Sequence, residues 1–250
     1  MRLLTLNIRF GAGSESPGKP GYDVPSSKRK LRAVADAVAS VDPDVVALQE
    51  VYGALQAERI AGHIGMKSIY TRHPISYALD FFEWGLAFCH RSKTLQVSNP
   101  TLEGTLSARS RRKMLMATLE MDEGPVTFVN VHFDPRGIVG QAESLVGLFP
   151  DEAAPRVLMG DFNCRADDVG LGAVRRQWVD SCRAVKTEAS READQVGTLP
   201  GRRERIDHIF IDPRFHRVVE AGLVSADYRR VSDHVAYFAD LRPELSGQGR

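Results

Sequence analysis

Short β-rich apolar runs alternate along this chain with segments of helical period, and that alternation constrains the fold more than any other feature. The β-rich runs are residues 3–8, 45–49, 85–90, 114–121, 126–132, 156–159, 206–211 and 235–241. Helical spacing appears in Leu31, Val34, Ala35 and Val38, with Ser26 or Ser27 placed to cap the segment, and again over 55–64 and 138–149. Only Asp122, Glu123, Gly124 and Pro125 separate two of the runs, which predicts a hairpin and excludes a purely parallel sheet. The chain therefore reads as α/β with antiparallel pairing. At 250 residues it is long enough for a sizeable core, and residues 1–243 are expected to form one domain, followed by a polar tail over 244–250. Residues 11–25 hold four Gly, three Pro and two Ser, and read as a long loop within that domain.

Charge and cysteine usage exclude several function classes. Lys and Arg number 33 against 32 Asp and Glu, so no overall positive field argues for nucleic acid, and any basic footprint must be local. Cys89, Cys164 and Cys182 are widely spaced and contain no C-x-x-C pair, so neither a disulfide framework nor a zinc knuckle is expected. A reducing, cytoplasmic setting and a monomer are the expectation. The opening MRLLTLNIRF breaks its apolar run at Thr5 and Asn7, too soon for a signal peptide. No run approaches the roughly 20 apolar residues of a membrane-spanning helix.

Chemistry is written at the ends of the apolar runs: LLTLN ends at Asn7, VVALQE at Glu50, FVNVH at His132, and VLMGDFN carries Asp161 and Asn163. A strand delivers its last side chain to the sheet rim, so four neighbouring strands would present Asn, Glu, His and Asp to one cleft. Turn chemistry alone also favours Asn, Asp and Gly where strands stop. Glu50 is a hard oxygen ligand suited to Mg²⁺. Asn7 offers either an amide carbonyl to a cation or an amide donor to phosphate. Asp161 and Asn163 point the same way if their segment stays extended, with an Asx-turn as the alternative. Motifs for zincins, nucleotide kinases, dinucleotide-binding folds and α/β-hydrolases are absent from the sequence.

LQE, GDFN, RIDHIF and SDH occur in an order and spacing that resembles the endonuclease/exonuclease/phosphatase family across almost the whole chain. The resemblance implies a four-layer α/β sandwich, with two mixed, mainly antiparallel sheets packed face to face and helices outside. It also implies Mg²⁺-dependent hydrolysis of a phosphoester by in-line attack of water, with Mn²⁺ as a substitute cation. In that pattern Glu50 is the main metal anchor, Asn7 stands beside it, and Asp233 is a carboxylate either on the metal side or behind the residues that touch the metal. Asp161 orients or deprotonates the attacking water, while Asn163 holds a phosphoryl oxygen. Asp207 orients His234 and raises its pKa, and whether Asp161 or that pair takes the proton stays open. His132 contacts phosphate or protonates the leaving oxygen, with Glu83 or Asp134 as its supporting carboxylate. His208 should face away from Asp207 and be structural or surface.

Basic clusters at Arg109, Arg111, Arg112 and Lys113, at Arg202, Arg203 and Arg205, and at Arg229 and Arg230 bear on the substrate. The second and third precede Asp207 and Asp233, so both are expected near the phosphate rim, with Arg205 as a phosphate contact. The near-neutral charge favours a small or lipid-type phosphoester over DNA, a nuclease being the alternative. A catalytically inactive binding module is the alternative of another class, against which every expected catalytic position is filled. Leu86, where the family often carries Asn, and Cys164, where it carries a smaller residue, are departures that remove no catalytic group.

Overall fold

The computed structural model describes residues 1–16, 18–20, 22–74, 83–105, 111–149 and 154–244. Among these residues the strands in chain order are β1 (Arg2–Asn7), β2 (Val45–Val51), β3 (Lys67–Arg72), β4 (Gly85–His90), β5 (Lys93–Ser98), β6 (Thr101–Leu102), β7 (Arg112–Lys113), β8 (Leu115–Met121), β9 (Gly124–His132), β10 (Arg156–Asp161), β11 (Val179–Asp180), β12 (Asp207–Ile211), β13 (His216–Leu223) and β14 (Tyr237–Pro243). The helices are α1 (Lys28–Ala39), α2 (Gly53–His63), α3 (Ile138–Gly147), α4 (Gly172–Arg175), α5 (Ser181–Ala184), α6 (Glu188–Val196) and α7 (Tyr228–Val231).

Two six-stranded sheets result, in the orders β13-β14-β1-β2-β4-β3 and β11-β12-β10-β9-β8-β5. Within them only β1 with β2 and β9 with β10 run parallel; the other pairs are antiparallel. The continuous apolar runs are explained by burial on both faces. In the first sheet Leu3, Val45, Ala47, Leu86 and Phe88 meet Leu115, Ala117, Phe128, Val157 and Ile209 of the second. Leu4, Leu6, Val46 and Leu48 turn the other way and pack under Leu31, Val34 and Val38 of α1 and Ala57 and Ile60 of α2. Val129, Val131, Leu158 and Phe210 likewise pack under Ala142 and Leu145 of α3. The layers are therefore helix, sheet, sheet, helix, as the resemblance implied.

Local chemistry explains the boundaries. Ser27 caps α1 by accepting the Lys30 amide at 3.3 Å. The hairpin between β8 and β9 is tighter than expected, because Met121 pairs with Gly124 and leaves only Asp122 and Glu123 in the turn. Strands β3, β5 and β13 and helix α6 were not foreseen. β5 (KTLQVS) is a largely exposed edge strand with only Leu95 and Val97 in alternation, and α6 (EASREADQV) has only Ala189, Ala193 and Val196 at helical spacing, so both carry a short and weak apolar signal. No helix among the described residues is long and apolar enough to cross a membrane. Of the polar tail, residues 245–250 lie outside the described residues, as does Arg109.

The sheet pattern positions the site. Parallel neighbours end at the same rim, so β1 and β2 deliver Asn7 and Glu50 together, and β9 and β10 deliver His132 opposite Asp161. Antiparallel β12 starts where β10 ends, pairing Asp207 with Asp161. The four strand ends lie on two facing sheets, not on one.

Candidate active site

A bulge in β2 turns Glu50 out of the ladder. Register with β4 slips between Leu48 and Val51, and Glu50 takes φ 52°. Such a backbone costs about 1–2 kcal/mol in a residue with a Cβ, and is tolerated where function requires the direction it gives. Gly160 solves the corresponding problem in β10. At its φ of 141° a Cβ would lie 2.0 Å from the Val131 carbonyl oxygen, so only glycine lets β10 approach β9 this closely just before Asp161.

Asn7 joins the two sheets. Its Nδ2 donates to Glu50 Oε1 at 3.2 Å and to Asp161 Oδ2 at 3.1 Å. Its Oδ1 accepts the Arg9 backbone N–H at 3.0 Å, which fixes the amide orientation. The two orientations left open by the sequence are thereby resolved: the donor faces the carboxylates and the carbonyl faces the backbone. Asp161 Oδ2 also lies 3.6 Å from His132 Nε2 and 4.0 Å from His234 Nε2. His234 Nδ1 donates to Asp207 Oδ2 at 2.7 Å. Asp161, Asp207 and His234 each offer a ligand atom within 4.8 Å of one another. This group shares no member with the expected metal set of Glu50, Asn7 and Asp233.

Burial and charge set the protonation states. Burial alone would lower the His234 pKa, but the Asp207 charge and hydrogen bond, helped by Asp161 and Asp233, raise it to about 10. His132 goes the other way, held well below its ordinary value by burial and by the Arg112 charge. Asp161 is raised by burial and by the neighbouring Asp207 charge. Glu50 is raised by burial, against the opposing effects of Asn7 and His234. One imidazolium, one neutral imidazole and a surplus of carboxylate therefore share the cleft.

Several expected residues sit differently from their anticipated roles. Arg205 does not reach the cleft: it is buried, donates to Asp180 from Nη1 and Nη2 at 2.9 and 2.7 Å and to Asp194 from Nε at 2.9 Å, and lies over the Tyr237 ring. Its guanidinium is committed to protein carboxylates, which removes it from the phosphate-binding set. The Asp161 to Asn163 segment is not extended. Asn163 adopts φ 53°, its N–H donates to Asp161 Oδ1 at 2.9 Å in an Asx-turn, and its Nδ2 donates to the Phe133 carbonyl at 2.8 Å. Neither Glu83 nor Asp134 supports His132. Asp134 pairs with Arg136 at 3.1 Å, Glu83 acts on Tyr70, and His132 Nδ1 is buried without a hydrogen-bond partner among the described residues. Asp233 is half-exposed and 3.5 Å from Arg9 Nε. His208 is fully buried, so the structural alternative holds and the surface one does not.

Sequence reading missed the wall beside His132. Trp84 meets the His132 ring edge-on at 5.5 Å, and the Arg112 guanidinium lies 4.2 Å over the Trp84 ring. His73 also packs against Trp84, at 4.5 Å between ring centroids. Arg112 was visible only as one member of a basic cluster, and no motif marks Trp84 or His73.

A two-sheet sandwich whose facing rims bring together Asn, Glu, two Asp and two His defines a carboxylate and histidine hydrolase-type site. The chain belongs to the endonuclease/exonuclease/phosphatase family, whose model matches residues 4–234. Solved structures agree on the fold. An endonuclease/exonuclease/phosphatase from Beutenbergia cavernae is 20% identical, with a TM-score of 0.76 over 97% of this chain and 71% of that one. A mannosyl-6-phosphatase from Bacteroides thetaiotaomicron is 18% identical, with a TM-score of 0.69 over 97% and 99%. The human Nocturnin catalytic domain with bound sulfate is 16% identical, with a TM-score of 0.73 over 98% and 93%. Comparison with curated protein sequences gives no match.

Proposed function

We propose that this chain is a divalent-cation-dependent phosphoester hydrolase acting through in-line attack of water. The observation that carries the reading is the Asn7 bridge, which gathers Glu50 and Asp161 from opposite sheets beside the Asp207 and His234 pair. The donor set fits a hard cation. Oxygen predominates around Glu50, with Asn7, Asp161 and Asp233 beside it, and the carboxylates outnumber the nearby positive charges. Mg²⁺ suits this set best, with Mn²⁺ as a substitute; Glu50 would be its principal ligand and Asp233 a second carboxylate nearby. Asn7 orients Glu50 and Asp161 by its N–H groups in place of ligating. When bound, the cation polarises a phosphoryl oxygen and offsets the charge that develops on it.

The protein groups divide the remaining work. Asp161 takes the proton of the attacking water, because its carboxylate faces the cleft and burial has moved its pKa toward neutrality. His234 is held as an imidazolium by Asp207 and donates to a phosphoryl oxygen. Neutral His132 contacts the phosphate or the leaving oxygen, and Asn163 contributes the N–H that Phe133 does not take. A small or lipid-type phosphoester is favoured over DNA. Arg205 and Arg112 are buried and Arg230 pairs with Asp227 at 3.1 Å, so one arginine of each basic cluster is committed within the protein and not free for a nucleic-acid backbone. Likeness to a mannosyl-6-phosphatase is consistent with a compact substrate. We take residues 1–243 as one catalytic domain, since Leu3 and Leu241 share one core cluster. The buried, unpaired cysteines support a reducing, cytoplasmic setting, and a monomer suffices to build the site.

The test is hydrolysis of p-nitrophenyl phosphate and bis-p-nitrophenyl phosphate after chelation and after restoring Mg²⁺. Chelation should abolish turnover and Mg²⁺ should restore it. Glu50→Gln should shift the Mg²⁺ titration to higher concentration, and Asp161→Asn should lower kcat by about 10²- to 10⁴-fold. Turnover that survives thorough chelation contradicts the reading, and cation binding without turnover on any phosphoester supports the binding-module alternative.

A further inference from the structure

His208 is a fully buried titratable residue to which the mechanism gives no task. It follows Asp207 in β12, and successive strand residues leave on opposite faces. Asp207 therefore reaches His234, while His208 reaches the turn that follows β10. His208 Nδ1 lies 2.6 Å from Arg205 Nη1, and Nε2 lies 2.9 Å from the Cys164 carbonyl oxygen. A carbonyl oxygen can only accept, so Nε2 carries a proton and donates it to Cys164, while Nδ1 faces both Arg205 and Asp180 Oδ2, the latter at 3.3 Å. Arg205 is itself immobilised by its bonds to Asp180 and Asp194, and Phe162 and Phe210 flank the imidazole at 5.7 and 5.5 Å. The orientation of the ring is thus fixed from behind.

Cys164 closes the turn that carries Asp161 and Asn163. That turn holds a left-handed asparagine, Asn163, and is tied at its start by the Asn163 N–H on Asp161 Oδ1 and at its middle by Asn163 Nδ2 on the Phe133 carbonyl. The bond from His208 is the tie at its end. We infer that His208 is a positioning residue of the active site: by donating to the Cys164 carbonyl, with Arg205 and Asp180 behind it, it holds the 161–164 turn in the shape that presents Asp161 to Asn7 and His132. The effect on turnover rests on the catalytic role proposed for Asp161; the anchoring of the turn does not.

Two amide variants separate this role from simple core packing. A glutamine amide can place its nitrogen near the position of Nε2, whereas the shorter asparagine reaches only the position of Nδ1. His208→Gln should preserve the tie to Cys164, His208→Asn should lose it, and His208→Phe should lose it while keeping ring packing. Hydrogen exchange followed by mass spectrometry should show residues 161–165 exchanging about tenfold faster in the Asn and Phe variants, and near the wild-type rate in the Gln variant. With Mg²⁺ and p-nitrophenyl phosphate, kcat should fall about ten- to hundredfold in the Asn and Phe variants, with KM changed less than about twofold, and Gln should recover most of the loss. Val38→Ala, buried in the outer layer at the C-terminal end of α1 and outside the gap between the sheets, is the control for lost stability alone and should keep its kcat. Unchanged exchange at 161–165 in both the Asn and Phe variants overturns the anchor. Faster exchange with kcat no lower than the Val38→Ala control overturns the positioning role. A wild-type protein inactive on every phosphoester sinks the proposed function, and the exchange measurement still decides whether the anchor exists.

Discussion

Replacing Asn130 by leucine should cost this protein more stability than its small change in volume suggests. Asn130 lies in β9 with no solvent exposure and points between the sheets. Its Nδ2 donates to the carbonyls of Leu48 at 3.0 Å and Ala87 at 2.9 Å, beside the bulge that interrupts the ladder between β2 and β4. Its Oδ1 accepts from Gln49 Nε2 at 2.8 Å, and the same Gln49 nitrogen lies 3.2 Å from Thr5 Oγ1. Leucine would leave two buried carbonyls unsatisfied and take one acceptor from Gln49. At about 1–3 kcal/mol for each orphaned group the gross loss is roughly 3–9 kcal/mol. The new apolar side chain returns about 2 kcal/mol, so the expected net loss is about 1–7 kcal/mol, centred near 4. Urea denaturation of the wild type and of Asn130→Leu, analysed at equal m-value, measures it directly. A loss below about 1 kcal/mol would refute the claim that Asn130 is the polar tie between the sheets.

Asp180→Asn should destabilise the fold by about 3–5 kcal/mol, because it leaves the buried Arg205 charge without its main partner. Burial would raise the Asp180 pKa, but Arg205 and His208 depress it strongly, so its contribution is present above about pH 4 and lost as pH falls further; a wild-type advantage that does not narrow in acid would count against this. His234 has the opposite sign. Its folded pKa is raised to about 10, so its contribution is full below about pH 6.5 and lost as pH rises toward 10. In cation-free buffer the Tm of the wild type should therefore fall more steeply between pH 7 and pH 10 than that of His234→Gln, and parallel curves would refute it.

Much of this architecture was legible because the same residues that bury two faces of a strand also announce the strand. LLTLN, VVALQ and VLMG are continuous apolar runs, and their polar last residues do gather at one rim. Order and spacing carried the rest, since a lone Glu50 or His132 is indistinguishable from ordinary surface or core chemistry. What stayed hidden depends on contacts between distant parts of the chain. Arg205 lies two residues before Asp207 and looked like a rim cation, but its partner Asp180 is 25 residues away, and nothing local reveals that pairing. Asn130 lies inside FVNVH and reads as a strand residue until β2 and β4 are laid across it. An extended GDFN and one folded into an Asx-turn have the same sequence; the left-handed Asn163 decides between them. The edge strand β5 stayed hidden because its alternation amounts to Leu95 and Val97 alone, too short to stand out from a loop.

Asn7 reaches from Glu50 of one sheet to Asp161 of the other through bonds of 3.2 and 3.1 Å. The distance between the sheets is thus a dimension of the active site, subject to a tolerance of about 0.5 Å if the constellation is to stay productive. Phe88 and Phe128 meet in that same layer at 6.5 Å, and the side chains between the sheets act as spacers for the chemistry at the rim. A thickened or thinned core would be felt as detuned catalysis well before it was felt as unfolding. Engineering this scaffold for heat resistance by repacking its interior would therefore require holding the gap constant, whereas the outer helical layers leave more freedom.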